Sequence, residues 1–492
     1  MVDRRKPGHK SWFLVGKQEM EERLGKRANR KTFEAAVVFL VLMIAAVATG
    51  DIIYVDNDAA LNGNGQTWGT AYKYLQEALY DPNLAGGWEI WAAEGTYHPD
   101  EDEGGNVTLN NRDERFQLKS GVALYGGFAG NETALKERNW RANVTILSGD
   151  LWDDDDDGFH FNADNSHHVV IGSGADPNTI LDGFTITGSC SNNPYHGEEY
   201  RGGGMCNLNG SPTVTNCIFT RNFTSEEGGG MYNWASSPTV TNCMFIGNWA
   251  GFFGGGICNE DESSPILTNC IFNSNLADDF GGGVHNLGGS MTITNCTFRA
   301  NSAGIKGGGI WNDCSSPTVT NCIIWGNNAS IGEQIYNGEE DSAIVTYSDV
   351  QGGCEGTGNI DADPMFTDPN GPDGIAGTDD DDLRLFYCSP CIDAGDSNSV
   401  PTDSPDLDQD GNTSEKTPLD LIGNERFVDV TTYNTGNPAA PGLPVVDMGA
   451  YEMNEPFDAI RKGDLNVDCY VDLADMAILA LHWLEYLGLE QQ

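Results

Sequence analysis

The sequence predicts an all-β protein, a right-handed parallel β-helix whose coils are about 26 residues long. Two motifs with one shared period carry this prediction, because a fixed period of this size is typical of a solenoid. The starts of five Gly triplets are 26, 26, 27 and 26 residues apart, and five Asn-Cys pairs keep the same spacing. The triplets are Gly202–Gly204, Gly228–Gly230, Gly254–Gly256, Gly281–Gly283 and Gly307–Gly309. The pairs are Asn216-Cys217, Asn242-Cys243, Asn269-Cys270, Asn295-Cys296 and Asn321-Cys322.

The residue types within each unit provide the third observation. Thr, Val, Ile and Phe favour strands, while Gly, Pro and Asn separate them, and no stretch of the repeat has helical spacing. Val214 and Phe219 can both point inward only if the chain turns a corner near Asn216, a residue type that tolerates the left-handed conformation. Stacked corners would place the Asn amides about 4.8 Å apart, in reach of a hydrogen-bonded ladder.

The same period bears on the 13 cysteines. Those of the Asn-Cys pairs fall in one inward column, which is typical of small buried hydrophobic residues rather than of disulfides. Cys206 and Cys258 are two coils apart, about 9.6 Å, which is beyond the roughly 7 Å that a disulfide spans. Cys388 and Cys391 are close enough in sequence to pair locally, and this alternative stays open. No Cys/His set has convincing zinc spacing.

The N-terminal end of a solenoid needs a cover, because an open end exposes core residues and unpaired strand edges. Residues 70–80 place Ala71, Leu75 and Leu79 on one side of a helix, which predicts a small cap helix. We expect this cap and irregular first coils over residues 51–185.

Regular coils are predicted for residues 186–350, where both motifs keep their period. Residues 351–455 lose the period and become rich in Asp, Pro and Gly, which predicts a terminal coil followed by a loop-rich closing region. A small helical module is expected over residues 463–488.

The N-terminus has the features of an export signal. Residues 1–32 hold ten Lys or Arg against four acids, and an apolar run over residues 35–48 ends in Ala46-Val47-Ala48. We therefore interpret residues 1–48 as a leader, with an uncleaved membrane anchor as the alternative. A secreted or cell-surface protein is expected, without a spanning helix in the mature chain. The net charge of −47 argues against a nucleic-acid partner.

The C-terminal module carries the sharpest chemical motif, a loop whose oxygen-bearing residues have EF-hand spacing. Its predicted Ca²⁺ ligands are Asp464, Asn466, Asp468, Tyr470 through its carbonyl, Asp472 and Asp475. Cys469 stands where Gly is usual for the sharp turn. The loop and the L-A-D-M-A-I-L segment after it resemble one half of a dockerin module, which implies attachment to a cohesin-like or envelope partner.

Other acidic runs are less specific. Residues 153–157, residues 379–382 and the segment from Asp403 to Gly411 have clustered carboxylates that suit Ca²⁺, although solvated loops are the simpler explanation.

A possible ligand surface follows the Gly triplets, where an outward column contains several rings. Tyr232, His285 and Trp311 lie in this column, and Trp234 lies beside it, which suits an aromatic strip that binds sugars. The alternative is that these residues simply belong to the surface or the core, as such residues more often do. No Ser/His/Asp set and no phosphate loop is present, and the catalytic residues, if any, stay unknown.

Two resemblances cover residues 52–453. The alternation of GGG-[MIV] with F-x-x-N, as in Phe219 to Asn222, resembles the repeat of the chlamydial polymorphic outer-membrane proteins. The L-Y-G-G-F-A-G segment at Leu124, the S-P-C-I-D-A-G segment at Ser389 and the D-M-G-A-Y-E segment at Asp447 resemble exported β-helix proteins of planctomycetes. The resemblance to the chlamydial proteins implies surface display and adhesion.

Together these observations predict a non-catalytic protein that adheres to or binds extracellular glycan or protein. The alternatives are a secreted polysaccharide lyase or glycoside hydrolase, since many parallel β-helices act on polysaccharides, and a structural envelope component.

Overall fold

The computed structural model of the protein describes residues 51–155, 162–192, 201–339, 341–378, 380–429, 445–454 and 476–479. The described strands belong to one compact unit that begins at Asp51. The predicted leader, residues 1–48, lies outside the described residues, as does almost all of the predicted module 463–488.

Parallel strands stack into four sheets in the described part of the chain, which confirms the predicted β-helix. Sheet 1 consists of Phe116–Gln117, Val170–Ile171, Met205–Leu208, Met231–Trp234, Ile257–Glu260, Val284–Leu287, Ile310–Asp313 and Ile335–Asn337. Sheet 2 consists of Ile52–Val55, Glu89–Ala93, Ala123–Phe128, Ile180–Asp182, Thr213–Thr215, Thr239–Thr241, Ile266–Thr268, Thr292–Thr294, Thr318–Thr320 and Ile344–Thr346.

The other two sheets complete each coil. Sheet 3 consists of Gly95–Tyr97, Thr145–Ser148, Thr185–Thr187, Ile218–Thr220, Met244–Ile246, Ile271–Asn273, Thr297–Arg299, Ile323–Trp325 and Asp349–Val350. Sheet 4 consists of Cys190–Ser191, Phe223–Thr224, Trp249–Ala250, Leu276–Ala277, Ser302–Lys306 and Asn328–Ile331. A separate antiparallel pair joins Phe366–Asp368 to Asp382–Leu385.

The core is a set of columns in which each side chain lies on its equivalent in the next coil. Phe219, Phe245, Phe272 and Phe298 stack with ring centroids 4.8, 4.9 and 4.5 Å apart and nearly parallel planes. Burying one such ring contributes about 1.5–3 kcal/mol. The predicted cysteine column is confirmed, since the five Asn-Cys cysteines are buried free thiols.

The predicted Asn corner is also confirmed. The five Asn residues of the Asn-Cys pairs have φ between 52° and 56°. Asn269 donates to Asn242 at 3.0 Å, and Asn242 donates to Asn216 at 3.4 Å. Two further ladders follow the other repeated Asn residues, with amide bonds of 2.8 Å from Asn207 to Asn233 and 2.9 Å from Asn248 to Asn275. Each of these Nδ2 donors therefore has an acceptor in a neighbouring coil and avoids the cost of a buried donor without a partner. Asn207 Oδ1, at the start of its ladder, has no hydrogen-bond partner.

The Gly triplets are required by close packing between coils. The first glycine of a triplet is left-handed, as in Gly228 with φ of 74°. A Cβ on Gly229 would lie 2.6 Å from the carbonyl oxygen of Gly255 in the next coil. Any larger residue would therefore force neighbouring coils apart.

The N-terminal cap is shorter than the predicted 70–80 helix. The α-helix α1 spans Leu75–Leu79 and buries Leu75, Ala78 and Leu79 against the first coil. Residues Trp68–Thr70 form a 3₁₀ turn, and Tyr72 bonds through its backbone to Tyr54 instead of joining the helix. A second 3₁₀ turn covers Leu135–Glu137, and residues 476–479 are helical. The described residues contain no apolar helix of the length that a bilayer crossing requires.

The predicted closing region follows the side of the solenoid rather than only its end. Residues 386–429 and 445–454, here called the strap, run over the Asn corners between sheets 2 and 3. Asn321 donates to the Asp396 carbonyl at 3.1 Å, and Asn295 donates to the Asp447 carbonyl at 3.3 Å. The strap thus occupies amides that would otherwise continue the corner ladder.

One buried arginine joins the strap to the corner. Arg426 is fully buried and donates to Asn269 Oδ1 at 2.9 Å and to the carbonyls of Gly449 and Ala450 at 3.2 and 2.9 Å. It also pairs with Glu452, whose side chain is equally buried, at 3.6 Å.

The proposed local pairing of Cys388 with Cys391 is wrong. Cys391 is a free thiol whose Sγ donates to the Asp349 carboxylate at 3.3 Å, whereas Cys388 belongs to a disulfide. The side chain of Cys391 is fully buried in the same hydrophobic cluster as Cys388, with its thiol bonded to Asp349 of the last coil.

Candidate functional site

The predicted aromatic strip lies on the outer face of sheet 1, but most of it is covered. Tyr232 and His285 are fully buried, while Trp234 and Trp311 are half-buried. The cover comes from the segment before each Gly triplet, where Phe253 lies 5.0 Å from the His285 ring. Burial lowers the pKa of His285 to about 3, so its imidazole is neutral.

This arrangement corrects the picture of an open strip. His285 and Trp311 are brought together as predicted, with ring centroids 4.3 Å apart, but Phe280 covers Trp311 at 4.4 Å. Tyr232 and His285 have no exposed surface that could contact a sugar. The covering residues Phe253 and Phe280 are equivalent positions 27 residues apart, each directly before a Gly triplet. The other coils have Arg201, Glu227 and Lys306 at this position, so the repeat gave only a partial signal for the cover.

A cluster of ionisable groups lies beside these rings on sheet 1. Arg201 forms ion pairs with Glu227 and with Glu260, the latter at 3.1 Å. The Tyr232 hydroxyl donates to Glu260 at 2.7 Å and accepts from Arg201 at 2.8 Å. Burial outweighs Arg201 and raises the pKa of Glu227 to about 7. At neutral pH Glu227 can therefore hold or release a proton, while Glu260 keeps two donors.

A long groove runs along the outer face of sheet 2. Its volume is about 910 Å³, and its lining includes Trp88, Glu89, Tyr125, Asp176 and Thr213. A second cavity of about 210 Å³ shares Thr239, Ser404 and Pro405 with it and continues to Ile266. The strap thus supplies one wall of the groove through Ser404 and Pro405.

The register of sheet 2 sets the length of this groove. Glu89 pairs with Ala123, Ala123 with Ile180, and the column continues through Thr213 and Thr239 to Ile266. Five steps of about 4.8 Å give a groove about 24 Å long. An extended chain laid along it would meet one outward side chain per coil.

The groove offers aromatic rings and hydroxyl groups beside smaller apolar residues and glycines. Trp88 and Tyr125 are half-buried. Arg138 lies 5.2 Å above the Tyr125 ring and pairs with Asp182 at 2.5 Å, which fixes the ring at the wall. Such a combination of apolar ring faces and hydroxyl groups on rigid strands is typical of sites for neutral or polar ligands.

Several acidic groups place carboxylate oxygens within 4.8 Å of one another. These groups are Asp150, Asp154 and Asp155; Asp403, Asp408 and Glu415; and Asp406, Asp408 and Asp410. Glu415 joins the second group although it lies outside the run from Asp403 to Gly411. Carboxylates so arranged suit a hard divalent cation.

The EF-hand ligands predicted at the C-terminus lie outside the described residues. They are Asp464, Asn466, Asp468, Tyr470, Asp472 and Asp475.

A family model described as "Right handed beta helix region" matches residues 157–360, which contain the regular coils. The handedness predicted from the sequence is thereby confirmed. No curated protein matches the chain.

Two solved structures are similar to the chain. One is the pectate lyase Pel9A, at 15% identity and a TM-score of 0.38, with 84% of this chain and 98% of that chain covered. Another is a pectin methylesterase from Aspergillus niger, at 11% identity and a TM-score of 0.28, with 61% of this chain and 87% of that chain covered. At these identities and scores, neither match carries an argument about activity.

Proposed function

We propose that the protein is an exported, non-catalytic β-helix protein that binds an extended extracellular glycan along the groove of sheet 2. The observation that carries this proposal is the groove itself, which crosses six coils and is lined by Trp88, Tyr125 and a row of hydroxyls. Because the strands that carry these side chains are paired on both sides, the groove is rigid and needs little ordering on binding.

Export and attachment complete the proposal. The leader over residues 1–48 would deliver the chain outside the cytoplasm. The EF-hand loop of residues 464–475 would bind Ca²⁺ and join the chain to a cohesin-like or envelope partner. The β-helix would then present its groove to glycan at the surface.

The test is a glycan array followed by affinity measurements on the full chain and two variants. Thr213→Trp places a large ring in the groove, and Thr318→Trp makes the same change at an exposed position of the same sheet outside the groove lining. We expect Thr213→Trp to lose at least about tenfold in affinity, because the ring occludes the path of the chain. Thr318→Trp should bind like the parent. Equal affinities for both variants would overturn the proposal.

A second candidate function, glycoside hydrolysis, is favoured by the cluster on sheet 1. A carboxylic acid with a pKa of about 7, Glu227, lies next to the carboxylate Glu260, and hydrolases use one acid and one carboxylate in this way. Arg201 is held by both glutamates and is poorly suited to act as a lyase base.

Product analysis separates this candidate from the binding function. The full chain would be incubated with neutral polysaccharides, and new reducing ends would be measured by mass spectrometry. Shortened chains that disappear with Glu227→Gln would establish hydrolysis. Intact polymer across the panel, together with binding in the groove, would reject it.

A further inference from the structure

We propose that the groove of sheet 2 selects glycans that carry free amino groups and rejects polyuronates. This inference rests on the proposed glycan binding and names the class of ligand. The lining of the larger cavity includes the carboxylates Glu89 and Asp176, and no Lys or Arg belongs to the lining of either cavity within the described residues. A chain of carboxylated sugars would therefore meet like charge along its path.

The cationic side chains near the groove do not cancel the negative charge of its lining. Arg138 is 4% exposed at its side chain and is neutralised by Asp182 at 2.5 Å. Lys119 lines an adjoining cavity that shares Gly86 and Ser120 with the groove, and its ammonium lies over the Tyr80 ring, 5.1 Å from the ring centroid, rather than in the groove lining. The whole chain has a net charge of −47, which raises the local concentration of cationic ligands further.

The two carboxylates near the N-terminal end of the groove are held in place. Glu89 Oε2 accepts from the indole of Trp91 at 2.7 Å. Asp176 accepts from the Ser120 hydroxyl and from the Asn178 amide, both at 2.9 Å. Both residues are half-buried, so an ammonium beside them is screened less than at a fully exposed carboxylate.

The ring of Trp88 adds a second attraction for an ammonium. Trp88 packs in part against the hydrophobic core and also lines the groove near Glu89, so an amino sugar that lies there meets the exposed part of the indole as well as the carboxylate. Cations are attracted to the faces of indole rings, and the indole also packs against the apolar face of a sugar. An uronate in the same place gains neither charge interaction.

Binding of three oligosaccharides to the full chain tests the inference. The probes are hexamers of glucosamine, of N-acetylglucosamine and of galacturonic acid, measured by calorimetry at low and high salt. We expect the glucosamine hexamer to bind best and to weaken with salt, and the galacturonic acid hexamer to show no binding. Glu89→Gln retains an acceptor for Trp91 and should weaken glucosamine binding about twofold to fivefold. Glu355→Gln, an exposed acid outside the groove lining, is the matched control and should change nothing.

The outcomes separate the charge selection from the glycan binding on which it rests. Equal, salt-independent binding of the glucosamine and N-acetylglucosamine hexamers would overturn the charge selection and leave the glycan groove intact. Preferred binding of the galacturonic acid hexamer would overturn it as well. Failure of every probe and of the glycan array would overturn the proposed function itself.

Discussion

Replacing Arg426 by methionine should release the strap from the solenoid. Arg426 is fully buried and serves three acceptors, Asn269 Oδ1 and the carbonyls of Gly449 and Ala450. It is also the counterion of Glu452, whose side chain has no exposed surface. Burial raises the pKa of Glu452 well above its usual range.

The magnitude follows from what the substitution leaves behind. The methionine side chain would fill much of the volume, but the Glu452 carboxyl would lose its cation and three acceptors would lose their donors. Breaking a buried ion pair from one side costs about 3–5 kcal/mol. Because the strap contacts the corners while each coil pairs with its neighbours, we expect this loss to open the strap locally and to leave the coils folded.

Hydrogen exchange followed by mass spectrometry measures this opening. The Met448 amide donates to the Cys391 carbonyl and the Gly449 amide donates to the Asn321 carbonyl, so both amides report on the strap. We expect Arg426→Met to speed their exchange by roughly a hundredfold or more. Adding Glu452→Gln should recover part of the protection, since it removes the buried carboxyl that has lost its partner.

A surface arginine provides the control. Arg384 pairs with Asp382 at 2.6 Å and is 59% exposed at its side chain, so Arg384→Met should cost only about 0.2–1 kcal/mol. Unchanged exchange at the strap amides in Arg426→Met would refute the reasoning, as would faster exchange that is equal in both variants.

Three further predictions concern stability and metal binding. Burial raises the pKa values of Asp403 and Asp447 from 3.8 to about 7, so between these two pH values the folded state binds more protons than the unfolded state. Calorimetry should therefore show a melting temperature that falls as the pH rises from about 4 to 7. A flat or rising profile would contradict this. Asn248→Ala removes a buried ladder amide and should cost about 1–3 kcal/mol in urea unfolding, against little for an exposed Asn. Asp464→Ala with Asp468→Ala should remove one bound Ca²⁺ in a titration of the full chain; an unchanged stoichiometry would exclude the predicted loop.

The repeat made the fold predictable because the features that fix it are local and periodic. Val214, Asn216 and Phe219 lie within six residues. In a flat strand Val214 and Phe219 would point to opposite faces, so two inward side chains already required a corner between two strands. The structure has that corner, with a left-handed Asn216. The inward cysteine column followed from the same alternation of side chains along the strand. These inferences need only one coil and a constant period, and both are visible in the sequence.

The candidate sites were much less predictable because they combine residues from distant coils. The groove joins Trp88 to Thr213 and to Pro405, and no sequence pattern connects these positions. The buried position of His285 depends on Phe253, which lies in the preceding coil. Only Phe280 repeats this residue type before a Gly triplet, so the sequence pattern did not mark a cover. The path of the strap likewise depends on long-range contacts such as that of Arg426 with Asn269.

The strap has a mechanical consequence. In a solenoid whose coils contact only their neighbours, a pull along the axis is carried by one interface after another, and the weakest interface sets the limit. The strap bonds to Asn321 in a late coil and, through Leu421 and Ile422, to Arg141 in a loop of the early coils. Tension between these coils is therefore shared by a covalent segment that runs beside the interfaces. A protein displayed in flowing liquid and bound to a polymer would resist extension through this tether before its coils separate.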